Sequence, residues 1–256
     1  MKENCSMKKL LNKVKAIFIA FKTKRVFYTI FFNFKYLPVH QAKLLPIIFY
    51  KHAYATISNG GKIILSDDMV ARKCKVHIGM HALDFEYQCE KTHLNVSYGT
   101  LFINGKLEFR RGCIIDIKGT MECGNDVLFG PRCRVRVHNK ASLGDYIRIA
   151  HETQLFDSNF HFSEKVDEPG FYPISKPITI GSYCWVGNRS TLSPGVVLPD
   201  YTTVASNSLV NKDFSSLAKY STIGGVPAKF LREGYTRVWD TNRELEYHKR
   251  EFSWLR

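Results

Sequence analysis

The sequence predicts an all-β core, built as a parallel β-helix with helical extensions at both ends. Three observations predict it: a six-residue aliphatic period, short Val, Ile and Thr runs broken by Gly, Asn and Asp from about residue 55, and helical patterns confined to the ends. Ile174, Ile180, Val186, Leu192, Leu198, Val204 and Val210 are all aliphatic and all six apart. A second track of small or β-branched residues, Cys184, Ser190, Val196, Thr202 and Ser208 with Ile178 before them, sits two residues ahead of the first. Residues two apart on an extended strand face the same side, so both tracks point inward. Each unit is then a short strand plus a turn, and stacked coils lie about 4.8 Å apart. Gly follows the aliphatic residue in Ile180-Gly181 and Val186-Gly187, where a tight corner calls for positive φ.

Residues 1–54 form a basic, aromatic N-terminal segment. The chain carries 37 Lys and Arg against 23 Asp and Glu, a formal +14. Residues 1–52 hold eleven of those bases and one acid, Glu3, so that net +10 sits there and net +4 is left for the other 204 residues. Leu10, Val14, Ile17, Phe18 and Phe21 share one helical face, with Lys9, Lys13, Lys15, Lys22 and Lys24 mostly off it. Such a helix over residues 1–25 suits peripheral contact with anionic lipid. The alternative is a helix packed on its own protein, because the following VFYTIFFNFKYLP stretch is aromatic enough to need a cover; Pro38 and Pro46 punctuate it. Nucleic acid is excluded as a partner, since no recognised binding module accompanies the charge. Lysines cut every apolar stretch, so neither a secretory signal nor the roughly 18 to 20 apolar residues of a membrane span is present, and a cytoplasmic protein is expected. Seven scattered cysteines (Cys5, Cys74, Cys89, Cys113, Cys123, Cys133 and Cys184) without a Cys-x-x-Cys pair agree, and read as small buried apolar residues.

The β-helix domain spans residues 55–233. Upstream of the regular repeat, Leu143, Ile149 and Leu155 form one stretch in register, and Cys123, Phe129 and Val135 another, offset by two residues near His138, Asn139 and Lys140. Between Leu155 and Ile174 lie 18 residues where the period predicts 5, so about thirteen are extruded as a loop at about 156–173. A loop of that size in a rigid solenoid is usually functional. Residues 234–256 read as a charged helical tail, with Trp239, Phe252 and Trp254 as anchors for packing or oligomer contact.

The phrases FDSNFHF (156–162), PITIGSYCWVGNRSTLSPGVVLPDYTTVASNSLVNKDF (177–214) and GGVPAKFLR (224–232) resemble the hexapeptide-repeat acyltransferases with a left-handed β-helix, in particular their sugar O-acetyltransferase branch. NFKYLPVHQAKLLPI is similar to a stretch of acyltransferases from bacterial capsule and lipopolysaccharide clusters. The left-handedness comes from this resemblance and not from the repeat. The resemblance also implies a homotrimer with acetyl-coenzyme A in the groove between neighbouring subunits, each site shared by two chains. The implied activity is acyl transfer to a hydroxyl of a sugar or lipid-linked glycan in surface polysaccharide or lipopolysaccharide biosynthesis.

An alcohol is a poor nucleophile near neutral pH, so the transfer needs a base, and histidine suits that task. His161, at the head of the extruded loop, matches the family's catalytic histidine, and a direct attack without an acyl-enzyme follows. Asp157, four residues earlier, is the candidate to orient its ring, with a turn-capping aspartate as the alternative. His151 is the reserve base. Trp185 matches the tryptophan of the family's VWIG phrase, and Asn188 follows it toward the cofactor groove. Ser206 and Asn207 replace the Ala-Gly of the family's GAGS phrase, which puts side chains beside the expected pantetheine track. Asn211 and Lys212 match the Thr-Lys pair after it, and Lys229 with Arg232 match the terminal basic pair, suited to phosphates.

Two other readings compete. One keeps the fold and donor but takes a sugar amine, a serine or an antibiotic as acceptor. The other is a zinc-dependent hydratase of the carbonic anhydrase type, which needs three converging histidines, two of them separated by four residues. His138, His151 and His161 are separated by twelve and nine residues, so no metal is expected.

Overall fold

The computed structural model describes residues 19–81 and 90–253. The helical face through Leu10, Val14, Ile17 and Phe18, together with Cys5, Cys89 and Trp254, lies outside the described residues. Three parallel sheets form the faces of a left-handed β-helix. The first sheet stacks Ile47–Phe49, Val76–Met80, Leu107–Arg110, Val127–Phe129, Ile147–Ile149, Trp185–Val186, Thr203–Val204 and Thr222–Gly224, and ends on the antiparallel strand Lys229–Arg232. The second stacks Ala53–Ser58, Thr92–Ser97, Ile114–Ile117, Arg134–Val137, Gln154–Phe156, Thr191–Leu192 and Leu209–Val210. The third runs from Lys62–Leu65 through Thr100–Ile103, Thr120–Cys123, Lys140–Leu143 and Ile178–Ile180 to Val197–Leu198. The column therefore begins at Ile47, inside the segment that the sequence reading placed before the domain.

Both inward tracks from 178 to 210 are buried. The aliphatic track supplies apolar burial, about 1.5–3 kcal/mol per fully buried side chain. The second track lies beside the corners, where carbonyls point inward and need donors. Ser190 Oγ donates to Ala205 O at 3.1 Å, Thr202 Oγ1 to Pro199 O at 2.7 Å and Cys184 Sγ to Pro199 O at 3.2 Å. Small side chains carrying a hydroxyl or thiol fit that place.

Two expectations are corrected, and a third finds its cause. Ile174 lies on the loop and not on a coil: its carbonyl accepts from Asn159 N–H, and the core position one coil below Leu192 belongs to Leu155. Twenty-four residues thus separate Leu155 from Ile180, against the five of an ordinary repeat, and the excursion is longer than thirteen. The two-residue offset upstream is present as expected, and arises because Leu107, Val127 and Ile147 stack at twenty-residue intervals, with an enlarged corner at 118–119 and 138–139. Second, Gly181 and Gly187 do not take positive φ; Tyr183 (58°) and Arg189 (56°) do. The glycines are required by closeness: a Cβ on Gly181 would stand 2.6 Å from Asp200 N, and one on Gly187 2.5 Å from Ser206 N.

Corners stack as the strands do. Tyr146, Tyr183, Tyr201 and Tyr220 form a ladder with ring centroids 4.8, 4.8 and 4.6 Å apart, and Trp239 of the tail meets Tyr183 edge-on at 5.6 Å. At the next corner Glu152 bridges Arg132 (2.8 Å) and Arg189 (2.7 Å) from the coils on either side.

The first strand of the first sheet has no coil below it. The helix Val26–Tyr36 covers that edge and supplies the missing partners from side chains. Asn33 Oδ1 accepts from Ile47 N–H at 3.1 Å, and Asn33 Nδ2 donates to Ile47 O and Thr29 O, both at 2.7 Å. Thr29 Oγ1 accepts from Phe49 N–H at 3.1 Å. Tyr28 and Phe32 set their rings 4.8 Å from that of Phe49. The aromatic stretch is thus the plug of the column. Replacing Asn33 by Ala leaves a buried N–H and a buried C=O unpaired, each costing about 1–3 kcal/mol. Asn33→Ala is expected to lower the unfolding free energy by about 2–4 kcal/mol, read from the urea midpoint at unchanged m-value.

Burial depresses the pKa of His77 and of His93, with Glu108 and Asp116 respectively pulling the other way. Below the unfolded value of about 6.5 the folded chain then binds fewer protons than the unfolded chain, so this contribution is present above that pH and lost as pH falls through the window. Thermal unfolding is expected at a lower temperature at about pH 5.5 than at about pH 7.5, with a smaller difference in His77→Gln. An equal difference in parent and variant removes His77 from the account.

Candidate active site

The enlarged corner that holds Lys118-Gly119 and His138-Asn139 in two coils opens in the next coil into the loop bearing His161. The neck of this loop is clamped: Lys176 N–H donates to Asp157 O and Asn159 N–H to Ile174 O, both at 2.9 Å, and Ser158 pairs with Ser175. Phe160 and Phe162 flank His161 and are anchored differently. The Arg136 guanidinium lies 4.1 Å from the Phe160 ring centre, with Phe156 edge-on at 5.7 Å, while Phe162 meets Phe171 across the loop at 5.8 Å. His161 itself is exposed.

Asp157 is fully buried. Its carboxylate accepts from His138 N–H at 2.8 Å and Asn139 N–H at 2.7 Å, and no hydrogen bond joins it to His161. It ties the enlarged corner of one coil to the root of the loop above. Burial pushes its pKa up, against the downward pull of those N–H groups.

Beside Phe160 a cleft of about 370 Å³ opens on the second sheet, lined by His93, Asn95, Asp116, Arg134, Arg136 and Phe156. Asn95 Nδ2 donates to Asp116 Oδ1 at 2.7 Å, and Arg136 Nε–H donates to His138 Nε2 at 3.0 Å, which leaves that nitrogen an acceptor. The cleft thus presents mixed charge and aromatic edges next to the imidazole-bearing loop.

Trp185 lies on the first sheet, in register above Arg148. It lines a cleft of about 260 Å³ with Arg110, Arg148, His151 and Arg237. Sequence reasoning missed these three arginines. Arg148 was legible as the outward residue between buried Ile147 and Ile149, but its partner in register stands 37 positions away across the loop. Arg237 reaches the cleft from the tail.

Asn188 and Ser206 meet at the corner after Trp185, Ser206 Oγ donating to Asn188 Oδ1 at 2.6 Å, and Asn207 takes the left-handed φ of 56° there. Asn211 and Lys212 are exposed at the His161 corner, with Lys212 Nζ 5.2 Å from the Phe214 ring centre. Lys229 and Arg232 are exposed on the final antiparallel strand, Arg232 lying 4.0 Å over Tyr235. One chain therefore brings Trp185, Asn188 and Ser206 to one edge of the prism and His161, Asn211 and Lys212 to the next. Among the described residues no three His, Cys, Asp or Glu side chains converge as a metal site, and His138, His151 and His161 stand apart.

No family model matches the chain. It is 31% identical over 85 residues to a chloramphenicol acetyltransferase of Morganella morganii, covering 31% of this chain and 39% of that protein. It is 29% identical over 92 residues to the galactoside O-acetyltransferase of Escherichia coli K12, covering 36% and 43%. To the putative lipopolysaccharide biosynthesis O-acetyl transferase WbbJ of the same organism it is 28% identical over 109 residues, covering 39% and 54%. The chain thus spans about half or less of the length of these curated relatives. Among solved structures, the polySia-specific acetyltransferase NeuO superposes with a TM-score of 0.58 at 17% identity, over 77% of this chain and 81% of that one, and shares the fold. With its three-sided coils and six-residue inward period, the chain shares the left-handed β-helix fold, and over part of its length it is similar to these acetyltransferases.

Proposed function

We propose that this protein is an O-acetyltransferase that moves an acetyl group from acetyl-coenzyme A to a sugar hydroxyl in surface polysaccharide or lipopolysaccharide biosynthesis, on the cytoplasmic side. The observation that carries the reading is His161: an exposed imidazole, in the FDSNFHF phrase, on a clamped loop at the point where the solenoid is interrupted. The relatives named as galactoside and lipopolysaccharide O-acetyltransferases support the class of acceptor.

In this reading His161 takes the proton of the acceptor hydroxyl as its oxygen attacks the thioester carbonyl. The C–O bond forms, the C–S bond breaks, and the sulfur leaves as the free thiol after receiving that proton. Asp157 acts indirectly, by holding the loop root through His138 and Asn139. Trp185, Asn188 and Ser206 line the donor groove, with Asn211, Lys212, Lys229 and Arg232 toward its phosphates.

His161 and Trp185 stand on different edges of one prism, which suits a homotrimer in which the loop of one chain faces the groove of the next. The acceptor is a sugar or a lipid-linked glycan. A second reading, an antibiotic as acceptor, is favoured by the chloramphenicol acetyltransferases among the relatives. Thiol release from acetyl-coenzyme A, measured with each acceptor in turn, separates the two. With the true acceptor, His161→Ala is expected to lower kcat about 100-fold or more while the KM for the donor changes little. Near-normal turnover removes His161 from the base role.

A further inference from the structure

The helix Val26–Tyr36 is apolar on both sides, and only one side is explained by the column it plugs. Its outer side carries Phe27, Ile30, Phe31 and Phe34, at helical spacings of three, one and three, with exposures of 77%, 40%, 58% and 48%. Phe21, itself exposed, extends the stripe with its ring 6.0 Å from that of Phe27. Exposed Leu44, which shares a groove with Ile30, widens it. A continuous surface of this kind on a soluble domain marks an interaction site.

Cations surround it. Lys24 and Lys75 border a groove shared with Ile30 and Leu44, Lys35 Nζ stands 5.5 Å from the Phe31 ring centre, and Lys22 and Lys51 line the adjoining cleft. No Asp or Glu occurs between Glu3 and Asp67. Among the described residues no helix is long and apolar enough to cross a membrane. Bulky aromatics bordered by lysines, on a stretch of chain that carries no acid, are the composition that inserts at a lipid interface and draws anionic headgroups.

We propose that this face docks on an anionic bilayer, with the aromatic stripe entering the headgroup boundary and the lysines on its rim. The site lies on the helix that closes the column, beyond the residues 1–25 named by the sequence reading. A second copy of the chain is a poor occupant, because it would bring an equally cationic surface against this one. The attachment does not depend on the acetyl-transfer reading.

The test is co-sedimentation of the full chain with vesicles of phosphatidylcholine alone and of phosphatidylcholine with about 30% phosphatidylglycerol. The parent is expected to bind the anionic vesicles, and to be released as salt rises from about 0.05 M to about 0.5 M. Phe27→Ser/Phe31→Ser, at exposed positions, is expected to keep its circular dichroism and weaken binding about 100-fold. Lys24→Gln/Lys35→Gln is expected to lose the preference for anionic vesicles. Equal sedimentation with both vesicle types, or unchanged binding by the phenylalanine variant, overturns the proposal. So does a parent that ignores vesicles while the phenylalanine variant falls to a smaller oligomer in sedimentation velocity, which assigns the face to a second copy.

Discussion

The backbone ladder between coils governs this molecule. Strand N–H and C=O groups pair with the coil above and the coil below, in parallel from Ile47 to Thr222 in the first sheet, with one register shift between Ile78 and Met80. Because the pairing is between coils, side chains have only to repeat their inward positions, and anything between two strands is free to vary. Two consequences follow. Residues at a given corner lie above one another, as the tyrosine ladder and the Arg132–Glu152–Arg189 bridge show. The first strand, lacking a coil beneath, must find its partners elsewhere, and Asn33 and Thr29 imitate one from a helix.

What was legible in the sequence is what repeats. The six-residue period identified both inward tracks, because inward residues must recur at each face whatever the corners do. Ile174 misled because a loop residue happened to fall on the period. The start of the column was hidden for a related reason: Ile47–Phe49 is one strand, and a single strand has no period. The plug was hidden too, since nothing local says that Asn33 faces an open strand edge.

The candidate site divides in the same way. His161 stood out because the repeat breaks around it, and a break in a strict period is visible without any structure. The engagement of Asp157 was not visible, because its partners, His138 and Asn139, belong to the previous coil and meet it only through the stacking of corners. Arg110, Arg148 and Arg237 escaped notice for the same reason: they converge from two coils and the tail on a cleft that no stretch of sequence contains.

The small inward side chains that quench corner carbonyls have an effect on redox chemistry as well. Cys113, Cys123, Cys133 and Cys184 are fully buried, and burial pushes the thiols of Cys123 and Cys184 up to about 12. Exchange with another sulfur requires a thiolate and access: all four lack access, and Cys123 and Cys184 lack the thiolate too. The sulfurs of the core are therefore shielded from mixed disulfides with any thiol outside the column.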